Sequence, residues 1–339
     1  MRSQINNKRI EWIDVAKGYG MILVIWGHMV NGKLDLWFNS FHMPLFFFLS
    51  GYVFQYKEGF KTFLKKKAKA LVVPYFCLGI PMLLFQLMLN VLNNSFSVES
   101  TIDLITVFLL QNRIWTLWYM ACLFFLCIIF YFVVKVCKKP EWIALVSLLF
   151  AVAGVVYYQN GGVPLFWSID VCFTAMPFFM CGYLLKVYAQ RMEQKIIKKR
   201  TWLFLGALCG LVNIVLHISS LDEAGVGMHM AFMKYGNPLF SYGAAFSGVL
   251  MVICFAKVFP LSFVKYIGKN SLLYYAWHQT IIFPIVFALL KPIENKIGDG
   301  SYYLMAVCLV FAILTVLNVI KESIEYEKIY KNCSSRSLD

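Results

Sequence analysis

Three residues in the first apolar stretch could do chemistry together: Asp14, Lys17 and His28. Lys17 and His28 are 11 residues apart. At about 100° per residue that spacing returns them to nearly one helix face, with a rise of roughly 16 Å. Asp14 stands three residues before Lys17 and shares that face. Ionisable groups in an apolar helix are costly, so they read first as functional. Imidazole acts as a base near neutral pH. The bland alternative places Lys17 at the membrane interface, snorkelling and paired with Asp14. It does not account for His28, about 15 residues into the stretch.

Other stretches carry candidates of the same kind. Phe41-His42-Met43-Pro44 opens the second apolar run, and a short connection brings His42 to a depth similar to that of His28. Lys65, Lys66, Lys67 and Lys69 precede Pro74-Tyr75. By composition they are an anchor that holds the loop inside, but clustered lysines also suit phosphates. Trp118 and Tyr119 start a later run, either as an interfacial belt or as a stacking surface for a sugar or an acyl chain. Ser271, Tyr274, Tyr275 and His278 recur at three- and four-residue steps, which makes a polar stripe on one helix face. Such a stripe faces a cavity or glues helices together. The ten cysteines are scattered without metal-like spacing, so neither a metal site nor a disulfide framework is expected.

The elements that position these residues follow from composition. Of 339 residues, 60% are hydrophobic and 14% charged, against about 25% charged in soluble domains. The apolar runs are long and lack strand-like alternation. The chain reads as an all-α integral membrane protein, a bundle of about ten transmembrane helices. The expected spans are roughly 13–31, 41–56, 70–92, 116–136, 142–158, 168–186, 202–219, 238–257, 271–290 and 302–320, with 102–111 as a short interfacial or re-entrant piece. With the N-terminus inside, 26 of the 31 Lys and Arg residues fall on inward segments. The outward ones are Lys33, Arg113, Lys234, Lys291 and Lys296. That asymmetry places both termini in the cytoplasm. It also explains the net charge of +14 without nucleic acid. Residues 1–12 form a short cytoplasmic segment, 13–320 the membrane domain and 321–339 a cytoplasmic tail. No small-x-small site follows the first run, so it is expected to be retained rather than cleaved.

With these residues in place, the chain resembles the membrane-bound acyltransferase 3 family, nearest its fucose 4-O-acetylase-like branch. The first-span pattern of that family is a basic residue, ten residues, then histidine, here Lys17 to His28. Phe41-His-Met-Pro-Leu-Phe-Phe-Phe-Leu-Ser-Gly51 is similar to its second-span signature. The basic run before Pro74-Tyr75, Trp118-Tyr119, Pro177 to Gly182 and Gly268 to His278 also fit. Lys17 stands where arginine is common, and Lys66 and Lys69 are the nearest match to an Arg-x-x-Arg pair. Lysine keeps the charge but not the bidentate fork.

The resemblance implies transfer of an acyl group, most often acetyl from acetyl-CoA, to a hydroxyl of a cell-surface or lipid-linked glycan at a bacterial cell membrane. His28, Lys17 and Asp14 would be catalytic, and Lys66 and Lys69 would hold the donor. His42, Trp118, Tyr119, Ser271, Tyr275 and His278 would line the acceptor side, with His278 deeper than His28. A transporter or exporter of a glycan or small metabolite is the competing class, and a succinyl donor is a variant of the first.

Overall fold

The computed structural model describes residues 10–29, 32–189, 197–294 and 296–335. Residues 1–9 of the expected N-terminal segment, 190–196 of the long basic loop and 336–339 of the tail lie outside the described residues. The helices are α1 (Glu11–Met29), α2 (Lys33–Asn39), α3 (His42–Tyr52), α4 (Phe60–Lys67), α5 (Val73–Leu92), α6 (Val98–Leu110), α7 (Trp118–Cys137) and α8 (Pro140–Gln159). They continue as α9 (Ile169–Ala189), α10 (Lys199–Ser220), α11 (Pro238–Val258), α12 (Ser262–Lys269), α13 (Ser271–Trp277), α14 (Phe283–Leu290) and α15 (Asp299–Ser335). A two-stranded antiparallel hairpin, β1 (Met228–His229) with β2 (Lys234–Tyr235), interrupts the helical order.

Among the described residues, eight helices are long and apolar enough to cross a membrane. The protein is an all-α integral membrane protein. The two expected spans outside this set are the polar α1 and the run at 41–56. In that run only α3 is helical, with 11 residues. Eleven residues rise roughly 16 Å, about half a bilayer core. The short α2 precedes α3, with Phe38 and Asn39 buried in the bundle. Irregular backbone at such depth is tolerated where protein surrounds it or it lines a cavity. The break falls immediately before His42.

Small residues set how closely the helices pack. At Gly18 of α1 an added Cβ would strike the Val264 carbonyl of α12, and at Gly268 of α12 it would strike the Asp14 carbonyl of α1. Gly51 of α3 and Gly182 of α9 are reciprocal in the same way, against the carbonyls of Phe179 and Phe48. In lipid, where apolar burial drives little, such backbone approach is what holds helices together. Ion pairs at this end of the bundle, Glu11 with Lys265 and Glu58 with Lys66, mark it as the basic end. The opposite end of α1 carries His28 and is the histidine end.

Two helices contain a turn of wider, π-type winding, at Ala68–Val72 and at His278–Ile282. Each precedes a proline, Pro74 and Pro284, by one turn. Proline has no N–H and its ring crowds the carbonyl four residues back, here those of Ala70 and Thr280. The wider turn relieves that clash. Such turns are frequent at functional sites, and both of these border a cavity.

Candidate active site

At the histidine end a cavity of about 490 Å³ opens between α1, α3, α7, the hairpin and the second π-turn. His28, His42, His229, Trp118, Tyr275 and Gln279 are in its wall. His278 lies directly behind: its ring stacks on His28 with centroids 5.4 Å apart and planes 29° apart. Four of the five histidines in the chain thus meet at one place. His28 is surface-exposed, and what it faces is cavity.

The histidines are held differently. His42 places Nδ1 2.7 Å from the Phe38 carbonyl. His278 places Nδ1 2.9 Å and 3.0 Å from the carbonyls of Tyr274 and Tyr275. A carbonyl only accepts, so Nδ1 carries the proton in both rings and Nε2 keeps its lone pair. Trp277 Nε1 donates to the Leu78 carbonyl at 3.2 Å and Thr116 to the Ala276 carbonyl at 3.2 Å, which ties α13 to α5 and to the loop before α7. His28 has the His278 ring as its fixed neighbour and presents its other face to the cavity.

His278 is not deeper than His28, as the linear spacing predicts, but level with it. The reason is α12. Gly268 already sits against Asp14 of α1, so the chain enters its ninth apolar run from inside the bundle. An added Cβ at Gly268 would also meet Gly18 of α1, and His278 and His28 each stand ten residues beyond that contact.

The cavity wall includes residues that the expected set lacks: Asp35, Asn39, Arg113 and His229. Asn39 donates to the Asp35 carboxylate at 2.7 Å. Arg113 forms a buried ion pair with Asp170, whose other oxygen accepts the Leu165 N–H at 3.0 Å. The loop carrying Arg113 holds it and Trp115 in left-handed backbone, with φ of 58° and 52°. Side-chain-bearing residues rarely take that conformation, and it recurs at functional sites. His229 arrives on the hairpin, which is anchored by a 2.7 Å hydrogen bond between the Tyr235 and Thr174 hydroxyls and by Ser241 donating to the Tyr235 carbonyl at 2.6 Å. Burial, and next the facing His28, push the His229 imidazole down to about 4, so it is neutral at pH 7. A histidine in a Gly-rich loop was the one visible signal for it. Arg113 carries none, because a distant loop brings it in, and Asp35 stands on the short α2, outside every expected span.

Five buried polar atoms of this region make no hydrogen bond to the protein: Arg113 Nε, His229 Nδ1, Tyr275 Oη, His278 Nε2 and Thr280 Oγ1. Each such group costs about 1–3 kcal/mol. Four of these residues line the cavity and His278 lies behind it, the mark of a site that a polar ligand completes.

Towards the basic end lies a second cavity, about 110 Å³, lined by Met21, Phe46, Leu71, Met120 and Leu272 among others. Met43 and Tyr275 belong to both walls, so the two cavities adjoin there. Tyr119 and Ser271 border this inner cavity. Tyr119 donates to the Phe46 carbonyl at 3.1 Å and lies 2.9 Å from Ser50. Ala70 and Leu71, in the first π-turn, form its end beside Lys69.

Of the expected residues, the fold therefore brings His28, His42, Trp118, Tyr275 and His278 together, with Tyr119 and Ser271 one step further in. Tyr274 of the predicted stripe faces α15 instead, 2.7 Å from Thr315. Asp14 and Lys17 line neither cavity. Asp14 is buried, 3% exposed, beneath α12. Lys66 and Lys69 are exposed, with Lys66 paired to Glu58. Lys67 turns inward instead, its ammonium 5.6 Å and 5.7 Å from the Phe54 and Phe63 ring centres. Among the described residues no group of three His, Cys, Asp or Glu side chains is arranged to hold a metal ion.

The sequence profile of a family described as an acyltransferase domain matches residues 10–319, nearly the whole chain and both cavities. The chain belongs to the acyltransferase 3 family. Comparison with curated proteins and with solved structures returned no match. Membership makes this a membrane acyltransferase, and the histidine cavity is the candidate active site of that acyltransferase.

Proposed function

We propose that this acyltransferase moves an acetyl group from acetyl-CoA to a hydroxyl of a cell-surface or lipid-linked glycan, as its resemblance to fucose 4-O-acetylase-like members implies. The observation that carries the proposal is the adjacency of the two cavities. A narrow apolar one begins beside the basic helix α4, and it adjoins a roomy polar one in which His28 is exposed. The apolar cavity suits the thin pantetheine arm of coenzyme A, and the lysines beside its end suit the phosphates. Lys66 and Lys69 would hold them, with Lys66 released from Glu58. Lys17, about 16 Å from His28 along α1, belongs to the donor half, with Asp14 fixing it. The excess of basic residues at that end supports a cytoplasmic position for it, at a bacterial cell membrane.

On this reading the acceptor hydroxyl lies in the polar cavity against Trp118 and His42. His28 takes its proton as the oxygen attacks the thioester carbonyl. The new C–O ester bond forms, the C–S bond breaks, and the proton passes to the leaving thiolate. His278, stacked on His28 with a fixed tautomer, orients that ring. Thermal unfolding of the purified protein tests donor binding. Acetyl-CoA at about 100 times its Kd stabilises by about 2.7 kcal/mol. No shift with acetyl-CoA or coenzyme A, together with glycan mass profiles that are identical with and without the gene, overturns the proposal.

A further inference from the structure

His28 belongs to the wall of a further cavity. This one, about 480 Å³, lies between the histidine ends of α1, α14 and α15 and is lined by Lys291, Glu294, Tyr302 and Tyr303 beside Phe287 and Ala288. Pro284 borders the first cavity and Ala288 this one. Four residues apart on α14, they lie one above the other on one face. The two cavities therefore follow one another along α14, with His28 at their junction. The acyl-transfer scheme above uses only the first.

The wall decides what this space takes. A sugar hydroxyl both donates and accepts. Lys291 donates, Glu294 accepts, and the two tyrosines do either. The Tyr302 ring also lies parallel to Phe287, with centroids 6.4 Å apart and planes 15° apart, which adds an apolar face of the kind sugar rings cover. An acyl or prenyl chain wants a continuous apolar wall, as the inner cavity has, and here more than half of the lining side chains are polar. A site closed beyond the base would admit only the last unit of a glycan, whereas this one continues on both sides of His28.

We propose that the acceptor is an extended glycan that lies across His28, with units in the first cavity on one side and units against Tyr302 and Tyr303 on the other. The enzyme then acylates units inside a chain rather than the chain end. This rests on the reading of the protein as a glycan acyltransferase.

The test uses the full-length protein in membranes, acetyl-CoA with a labelled acetyl group, and surface polysaccharide of the source cells. The polysaccharide is stripped of esters by mild base and cut into fragments of increasing length. Label is mapped by fragmentation mass spectrometry. The expected result is label on internal units and turnover that rises with fragment length. Ala288→Trp, which fills the third cavity, is expected to depress turnover of long fragments about tenfold more than that of the shortest. Should that variant fail to fold, Tyr303→Ala at an exposed position reads the same length dependence. Label confined to chain ends, rates independent of length, or incorporation only into a lipid-linked single sugar overturns the proposal while leaving acyl transfer standing. No labelled product from any acceptor, with no stabilisation by acetyl-CoA, overturns both.

Discussion

The two adjoining cavities are built by the same device and lined by opposite chemistry. Each is bordered by a π-turn one helical turn before a proline, and Met43 and Tyr275 stand in both walls. The inner one, about 110 Å³, is walled by methionine, leucine and phenylalanine. The outer one, about 490 Å³, gathers histidines, an arginine and tryptophans, with polar atoms that the protein leaves without partners. The difference shows that backbone irregularity makes room in a helical bundle, and side chains alone decide whether the room is for passage or for chemistry. It also separates two residues of α1 that the sequence puts on one face: His28 lines the outer cavity, and Lys17 lines neither.

The sharpest way to break the contrast is at His28. His28→Ala is expected to lower acyl transfer about 10²–10⁴-fold, the usual worth of a positioned base. The side chain is exposed to the cavities, so expression and thermal unfolding should stay near wild type. Turnover equal to wild type in a labelled-acetyl assay would show that the polar cavity is not where the chemistry happens. The next largest effect is expected from Leu71→Trp, which fills the inner cavity without touching the outer one. Turnover should fall about tenfold or more, with the loss traced to donor use by varying acetyl-CoA. Full activity would remove the apolar cavity from the donor path.

Pro284→Ala restores an N–H to which the Thr280 carbonyl can bond, so the π-turn relaxes and His278 rotates off His28. A several-fold loss is expected, larger than for the matched Pro74→Ala behind the first π-turn. Equal effects would mean that the two turns do not differ in function. The smallest effect concerns pH. The His229 imidazole has a folded value of about 4, against an ordinary value of 6.5. The unfolded chain therefore binds that proton first, and stability is lost as pH falls from about 6.5 to about 4, with nothing contributed above 6.5. The melting temperature of the wild type should drop more across that window than that of His229→Gln. Parallel curves would show that the hairpin histidine is not held neutral by the outer cavity.

Much of this protein was legible before folding was considered. The apolar runs dictate a helical membrane bundle because lipid satisfies no backbone group, so each segment must satisfy its own. The Ser271–His278 stripe splits, with Tyr275 in the cavity walls and Tyr274 turned to α15, whereas the Lys17–His28 spacing is a helix periodicity that α1 keeps because it forms locally. His28, His42 and His278 were readable as candidates for the same reason. What composition could not reveal is anything that depends on where a helix starts or stops in depth. The run at 41–56 looks like one span by hydropathy, but only α3 is helical. His278 looks deeper than His28, but α12 enters the bundle against Gly18 and lifts it level.

Arg113 and Asp170 are 57 residues apart, and His229 and His28 lie 201 positions apart. No periodicity links such pairs, because long-range packing brings them together and local spacing does not. The sequence by itself determined the solvent, the all-α class and the basic-to-histidine direction of the first helix. Only the tertiary structure decided which histidines meet, which lysine turns inward, and that His28 stands where cavities join.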